Sequence, residues 1–349
     1  MARPISPVRR FAFGMLVRSA HLTVQLEKWV TVRINRPAKF GAMGVGLVVL
    51  LAAATGVASA DSNDAEKVGQ AVAAATAGMA VVPARADADA ALVHEGDAAR
   101  VIVPRNPADG VSFSGSAGAL KVGLPVTRSA GAAVGTSAGT VVYPDASSTA
   151  DVAVQSIADG ARILVTLDDA SAPREYRFPL TLPPGAKITP KGDASGELEI
   201  TTDQDGTTVV IGNVAAPWAK DAAGAAVKTR YRLDGTTIVQ VLEPAADAAY
   251  PIVADPSVSA GWVIYVRYKK NEVRDKLDYV SNQSMFAAFL CAPVARLTAL
   301  GAALCAGGLG TSYSGLASEW RSAYHEGKCM EVKWSYVLPF PWGYRRYSC

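Results

Sequence analysis

The sequence of 349 residues predicts a mainly β, sandwich-like domain followed by a small disulfide-stabilised α+β domain. Two observations carry that expectation. Short β-branched runs recur between turn dipeptides across residues 86–257, at the ~8–12 residue spacing of sandwiches and barrels. All four cysteines, Cys291, Cys305, Cys329 and Cys349, fall in the last quarter, together with eight of the twelve tyrosines and four of the six tryptophans.

The chain begins with a basic leader. Residues 1–60 hold eight basic and one acidic residue, and Arg33, Arg36 and Lys39 lead into an unbroken apolar run from Phe40 to Val57. Ala58-Ser59-Ala60 then supplies small residues of the kind cleaved by signal peptidase, so residues 1–60 are expected to be a signal peptide and the exported chain to start at Asp61. Arg9-Arg10 lies too far ahead of the apolar run for a twin-arginine signal. Export suits the cysteines, because four thiols in one exported segment imply two disulfides. Their spacing includes no C-x-x-C pair, which argues against zinc.

Residues 61–85 are alanine-rich and offer little to bury, so they are expected to be a flexible linker with a weakly helical stretch at residues 65–79. The acidic all-β domain is placed at 86–257. Its strand runs include Arg100–Val103, Val152–Val154, Ile163–Leu167, Tyr176–Phe178, Thr208–Ile211 and Thr237–Val241. Asp109-Gly110, Asp159-Gly160, Pro184-Gly185, Asp205-Gly206 and Asp234-Gly235 supply residues that tolerate positive φ, and the last two are expected to turn hairpins. Residues 126–140, rich in Gly, Ala, Ser and Thr, read as a loop. With no long helix in the module, a nucleotide-binding α/β fold is excluded.

The composition changes at 258. Residues 258–349 carry eleven basic and six acidic residues, so this cationic domain follows an acidic one. Trp262–Tyr268 alternates like a strand. Asn271 is expected to cap a helix carrying Leu277, Val280, Met285, Phe286 and Phe289, and Pro293 to open a second through Leu304 that Gly307-Gly308 ends. A third is expected over Tyr313–His325, and Met330–Leu338 is expected to pair with Tyr344–Ser348. On that picture fourteen residues of mostly helix hold Cys291 and Cys305 ~20 Å apart, against the ~7 Å limit for bridged Cα atoms, so the preferred pairing is Cys291 with Cys329 and Cys305 with Cys349.

No constellation points firmly to catalysis. Gly135-Thr136-Ser137-Ala138-Gly139 matches the G-x-S-x-G nucleophile elbow, but it lies in a loop without a following helix, and the one later histidine, His325, is in the other domain. His325 and Glu326 beside Glu319 and Arg321 resemble a nuclease-like acid–base cluster; a solvated helix end explains the same residues. Asp168, Asp169, Asp203 and Asp205 sit at strand ends where calcium is sometimes held, yet aspartate is also the ordinary turn residue. No catalytic, cofactor-binding or metal-binding residues are therefore expected, and an enzyme is not the favoured reading. The apolar stretch Met285–Leu309, flanked by basic residues, admits a membrane-entering hairpin, but Pro293 and the glycine pair cut it into pieces too short to span, which favours a core.

Two motif sets are familiar. Pro217–Ala222 (PWAKDA), Lys228–Tyr231 (KTRY), Thr237–Val241 (TIVQV) and Tyr250–Pro256 (YPIVADP) resemble secreted actinobacterial proteins of uncharacterised function, in which a β-rich stem precedes variable C-terminal pieces. The tail, with Asn271-Glu272, the spaced Cys291 and Cys305, and Gly327-Lys328-Cys329, resembles a small four-cysteine module of the same group. The resemblance brings no catalytic residues. The expectation is a secreted, non-enzymatic protein whose cationic module binds an anionic cell-envelope or membrane surface, with no nucleic-acid partner. The alternatives are a bacteriocin-like, membrane-active protein and a hydrolase or nuclease resting on Ser137 or His325.

Overall fold

The computed structural model describes residues 49–349 apart from 97–98, 116–117, 128–129, 137–138, 159, 205, 298 and 336–342. Most of the leader, Arg9-Arg10 included, thus lies outside the described residues, as do Ser137 and Asp205.

In chain order, a helix α1 (Val49–Ala75) precedes β1 (Ala90–Glu95), β2 (Ala99–Pro104), β3 (Val111–Gly115), β4 (Gly118–Val122), β5 (Val134–Gly135), β6 (Val141–Ser147), β7 (Ala150–Ile157) and β8 (Gly160–Leu167). There follow β9 (Glu175–Thr181), β10 (Lys187–Pro190), β11 (Leu198–Gln204), β12 (Thr207–Val214), β13 (Ala219–Lys220), β14 (Lys228–Asp234), β15 (Thr237–Glu243), β16 (Ile252–Ala254) and β17 (Ser257–Tyr268). The tail adds α2 (Lys270–Asp275), α3 (Gln283–Leu297), α4 (Ala299–Glu326), β18 (Cys329–Ser335) and β19 (Gly343–Tyr347).

Two antiparallel sheets form the sandwich. One runs β1-β2-β3-β4-β9-β15-β14, the other β10-β11-β12-β17-β8-β7-β6-β5, with β13, β16, β18 and β19 attached to the second. Their facing sides supply one core, in which Val101, Val111, Phe113, Phe178 and Ile238 meet Val152, Val154, Ile163, Val165 and Ile200. The expected alternation appears in β9, where Tyr176, Phe178 and Leu180 are buried between exposed Glu175, Arg177 and Pro179. Tyr143 crosses the core to donate to the Pro104 carbonyl at 2.6 Å. The hairpins expected at Asp205-Gly206 and Asp234-Gly235 join β11 to β12 and β14 to β15, with Gly206 and Gly235 at φ 86° and 60°.

Every residue of β8 is buried. One face meets the sandwich core, and the other is covered by α1, so the near-continuous apolar run has an apolar environment on both sides. Residues 61–85 were expected to be a flexible tether, and the structure corrects this. Ala65, Val68, Val72 and Ala75 recur on one face of α1 and pack against Val142, Ala153, Leu164 and Val253. The Lys220 ammonium then donates to the Ala75 carbonyl at 2.8 Å, placing a cation at the helix C-terminus, where the backbone dipole favours it.

Strand β17 is where the chain's two compositions meet. Along one edge it pairs with β12 over Val258–Ala260 and again over Tyr265–Arg267. Along the other edge its first residues pair with β8 and its later ones, Val263–Tyr268, with β18. The sheet therefore forks along a single strand, and residue 258 lies within that strand. Gly160 permits the fork, since a Cβ there would stand 1.9 Å from the Val258 carbonyl oxygen.

The helices cover the far end of β17. Tyr268, Phe286, Phe289 and Trp320 form an aromatic cluster with ring centroids 5.1–5.7 Å apart; the three edge-on contacts, all to Trp320, each add ~0.5–1.5 kcal/mol beyond area burial. The Trp320 indole donates to the Val273 carbonyl at 2.9 Å and the Tyr313 hydroxyl to the Val280 carbonyl at 2.6 Å, so α4 is pinned along its second half. Lys269, not Asn271, occupies the N-cap of α2, and its amide donates to Glu272.

The disulfides are Cys291–Cys305 and Cys329–Cys349, and the pairing expected from sequence is corrected. The chain reverses between α3, which ends at Leu297, and α4, which begins at Ala299, instead of continuing to Gly307-Gly308. Each of Cys291 and Cys305 stands seven residues from that reversal, two helical turns along facing arms, and their Cα atoms are 5.6 Å apart. Pro293 lies within α3, and α4 runs on through the glycine pair, whose helix cost of ~1 kcal/mol each is outweighed by the buried anchors Leu316, Trp320 and Ala323 beyond. Cys329 opens β18, and Cys349 sits just past its ladder partner Tyr347.

Candidate ligand groove at the sheet fork

The fork leaves a groove of about 640 Å³ on one face of the sheet. Side chains at alternate positions on neighbouring strands share a face, which is why this wall is polar. In β17 these are Ser257, Ser259, Tyr265 and Arg267, opposed by Glu331 and Lys333 of β18, with Arg345 of β19 beyond. Glu199 of β11 and Asn213 of β12 complete the wall from the sandwich side.

Charges alternate across the strands. The Arg267 guanidinium donates to both Glu199 oxygens, one of them at 2.7 Å, and its Nε donates to Glu331 at 2.8 Å; the other Glu331 oxygen accepts from Arg345 at 2.6 Å. Such forked guanidinium–carboxylate pairs fix geometry as well as energy. Burial alone would push the Glu331 carboxyl up, but the hydrogen bonds from Arg345 and Arg267 outweigh it and hold the group below the usual glutamate range. Near Arg267, desolvation works against the charged form, yet the two carboxylates raise its value. Lys191 is raised by its hydrogen bond to Glu197. Burial lifts the Tyr265 hydroxyl.

In this arrangement Glu331 is not poised to donate a proton near neutrality. A glycosidase-type pair needs one carboxyl kept protonated near neutrality, whereas Glu331 is held ionised between two arginines. Among the described residues Lys333 has no carboxylate partner, and its ammonium stands 5.9 Å over the Tyr265 ring centre.

The other candidates do not assemble. His325 ends α4 against the Tyr324 ring, while Glu319 and Glu326 are drawn to Arg346 and Arg321 turns to the Val280 carbonyl. Asp169 accepts from the Ser171 amide and Asp203 from the Gly206 amide, both as turn residues. Asp151 is pushed up to about 6 by burial and by Asp168. Among the described residues no group of three or more His, Cys, Asp or Glu side chains is arranged to hold a metal. Phe286, Leu290 and Val294 of the apolar stretch are buried in the core, and no described helix is long and apolar enough to cross a membrane.

The motifs behind the resemblance converge on a different place. Asp255, fully buried, accepts from the Trp218 amide at 3.0 Å and the Ser257 hydroxyl at 3.0 Å, and Gln240 reaches Thr229 at 3.2 Å. Burial pushes the Asp255 carboxyl up to about 7 against those hydrogen bonds and the nearby Arg162. Trp218, Lys220, Tyr231, Gln240 and Asp255 thus knot strands together beside the end of α1, a structural role. No protein-family model, curated protein or solved structure matches the chain.

Sequence reasoning missed Glu199, Arg267, Glu331 and Arg345 as a unit. The available signal was the charged face of three alternating segments, Tyr265-Val266-Arg267, Glu331-Val332-Lys333 and Tyr344-Arg345.

Proposed function

We propose that the chain is an exported, non-enzymatic binding protein that attaches to an anionic cell-envelope surface through its C-terminal third. The basic leader, the small-residue cleavage site after Ala60 and two disulfides support export. The observation that carries the binding role is how the basic residues of this region divide. Arg267, Arg345, Arg346 and Lys328 are spent on internal carboxylates. Among the described residues Lys269, Lys270 and Lys276, gathered at the two ends of α2, have no carboxylate partner, and Lys276 instead lies 4.7 Å over the Tyr279 ring centre. Lys269 and Lys270 are exposed and Lys276 is half-buried against that ring, so this end of the tail carries positive charge that no carboxylate offsets.

The test is co-sedimentation of the secreted chain with purified cell-wall material before and after its acidic polymers are stripped. Binding should fall with stripping, with added salt, since exposed charges are screened beyond ~10 Å at 0.1 M, and in a variant carrying Lys269→Gln, Lys270→Gln and Lys276→Gln. Equal binding to stripped wall, or by the triple variant, would sink the reading.

A further inference from the structure

We propose that the groove at the sheet fork binds an anionic glycan, a short run of sugar units bearing carboxylate or phosphate groups. The inference rests on the reading of the chain as an envelope-binding protein and gives it a particular site.

Size comes first. At about 640 Å³ the groove falls within the ~300–1,000 Å³ of small-ligand clefts. Its chemistry is that of sugar recognition. Asn213, Ser257 and Ser259 offer an amide and two hydroxyls, Tyr265 offers a ring face for C–H surfaces, and the Glu199–Arg267–Glu331–Arg345 ladder offers planar donor and acceptor edges for neighbouring hydroxyls. Aliphatic lining is confined to Ile157 and Ala215, too little to hold a lipid chain or the apolar side chains of a peptide.

Charge selects the acid. The three groove carboxylates are each tied to a cation, Glu197 to Lys191 and Glu199 and Glu331 to arginines, so none repels an anion freely. Lys333, without a carboxylate partner among the described residues, stands at the Tyr265 ring where an acidic sugar stacked on that ring would bring its charge. Rigidity follows from the strands. Every residue of the ladder lies on a paired strand, and from the opposite face of β19 the Tyr344 hydroxyl braces the sheet against α4 at Gly315, where a Cβ would be 2.2 Å away. Sites built on regular elements and locked by neighbouring hydrogen bonds bind without reorganising.

The experiment is titration of the isotopically labelled secreted chain with trigalacturonate, its uncharged methyl ester and phosphorylated maltotriose, read by amide chemical shifts. Shifts should cluster at Asn213, Ser257, Ser259, Tyr265, Lys333 and Arg345. An acidic trisaccharide, of either kind, should bind about tenfold tighter than the neutral one, the worth of one charge-assisted contact. Lys333→Gln should erase that preference, and Tyr265→Ala should weaken all three. Shifts confined to residues 269–276, equal affinity for charged and neutral ligands, unchanged preference in Lys333→Gln, or no binding would each overturn the assignment. Wall binding that persists while groove amides stay unmoved removes the groove alone; groove shifts in a chain that ignores wall material uphold the groove and remove the surface reading.

Discussion

Replacing Glu331 by glutamine removes the one charge that two arginines share. The Glu331 side chain is 6% exposed and Arg267 19%, whereas Arg345 is 61% exposed. Breaking a buried pair costs ~3–5 kcal/mol because the surviving charge is left uncompensated; since Glu199 still holds Arg267, the lower end, about 3 kcal/mol, is expected for Glu331→Gln. Arg345→Gln, which removes an exposed partner, should cost under about 1 kcal/mol. The sign with pH follows from linkage. A carboxyl held below its unfolded value stabilises the fold above that value, about 4.3 for glutamate, and the contribution is lost as pH falls through the lower folded value. Urea unfolding at neutral and acid pH reads both effects: the gap between wild type and Glu331→Gln should be wide at neutrality and close in acid. Equal costs for the two variants, or a gap that persists in acid, would refute the ladder as described.

Further outcomes follow from the same structure. Gly160→Ala sets a methyl against the Val258 backbone and should destabilise by about 3 kcal/mol or more, measured by urea midpoint; a neutral result would remove the tight crossing at the fork. Non-reducing peptide mapping of the secreted chain should join Cys291 to Cys305 and Cys329 to Cys349, and the double variant Cys329→Ser, Cys349→Ser should lose about 3 kcal/mol for its 20-residue loop. Asp255, raised to about 7, binds its proton more readily in the folded state, so its contribution falls as pH rises from about 3.9, by roughly 4 kcal/mol when complete. Asp255→Asn should flatten that slope in a pH series of unfolding curves, and an unchanged slope would contradict it.

The β domain was legible because its signals are local. Turn dipeptides such as Asp234-Gly235 demand positive φ, and runs such as Ile163–Leu167 carry the mark of a strand buried on both sides. What covers β8 was not legible, since small residues such as Ala65 and Ala75 bury well only against a matching surface that no local pattern reveals. The helical hairpin was misread for a related reason. Gly307-Gly308 is a strong stop signal by propensity, yet tertiary anchors at Tyr313 and Trp320 carry the helix through it, and the sequence where α3 gives way to α4 has no glycine or proline to announce a reversal. The equal seven-residue spacing of Cys291 and Cys305 about that point was the one clue. The groove was hidden because its members, from Glu199 to Arg345, meet only through a strand that changes partners midway.

That strand is the centre of the account. Amide hydrogen exchange followed along β17 in the secreted chain tests it most directly. If one ladder joins the sandwich to the disulfide-braced tail, the amides of Val258–Ala260 and of Tyr265–Tyr268 should open with free energies within about 1 kcal/mol of each other and close to that of global unfolding. A second half that opens separately and far more readily, together with Met330–Val332, would contradict it.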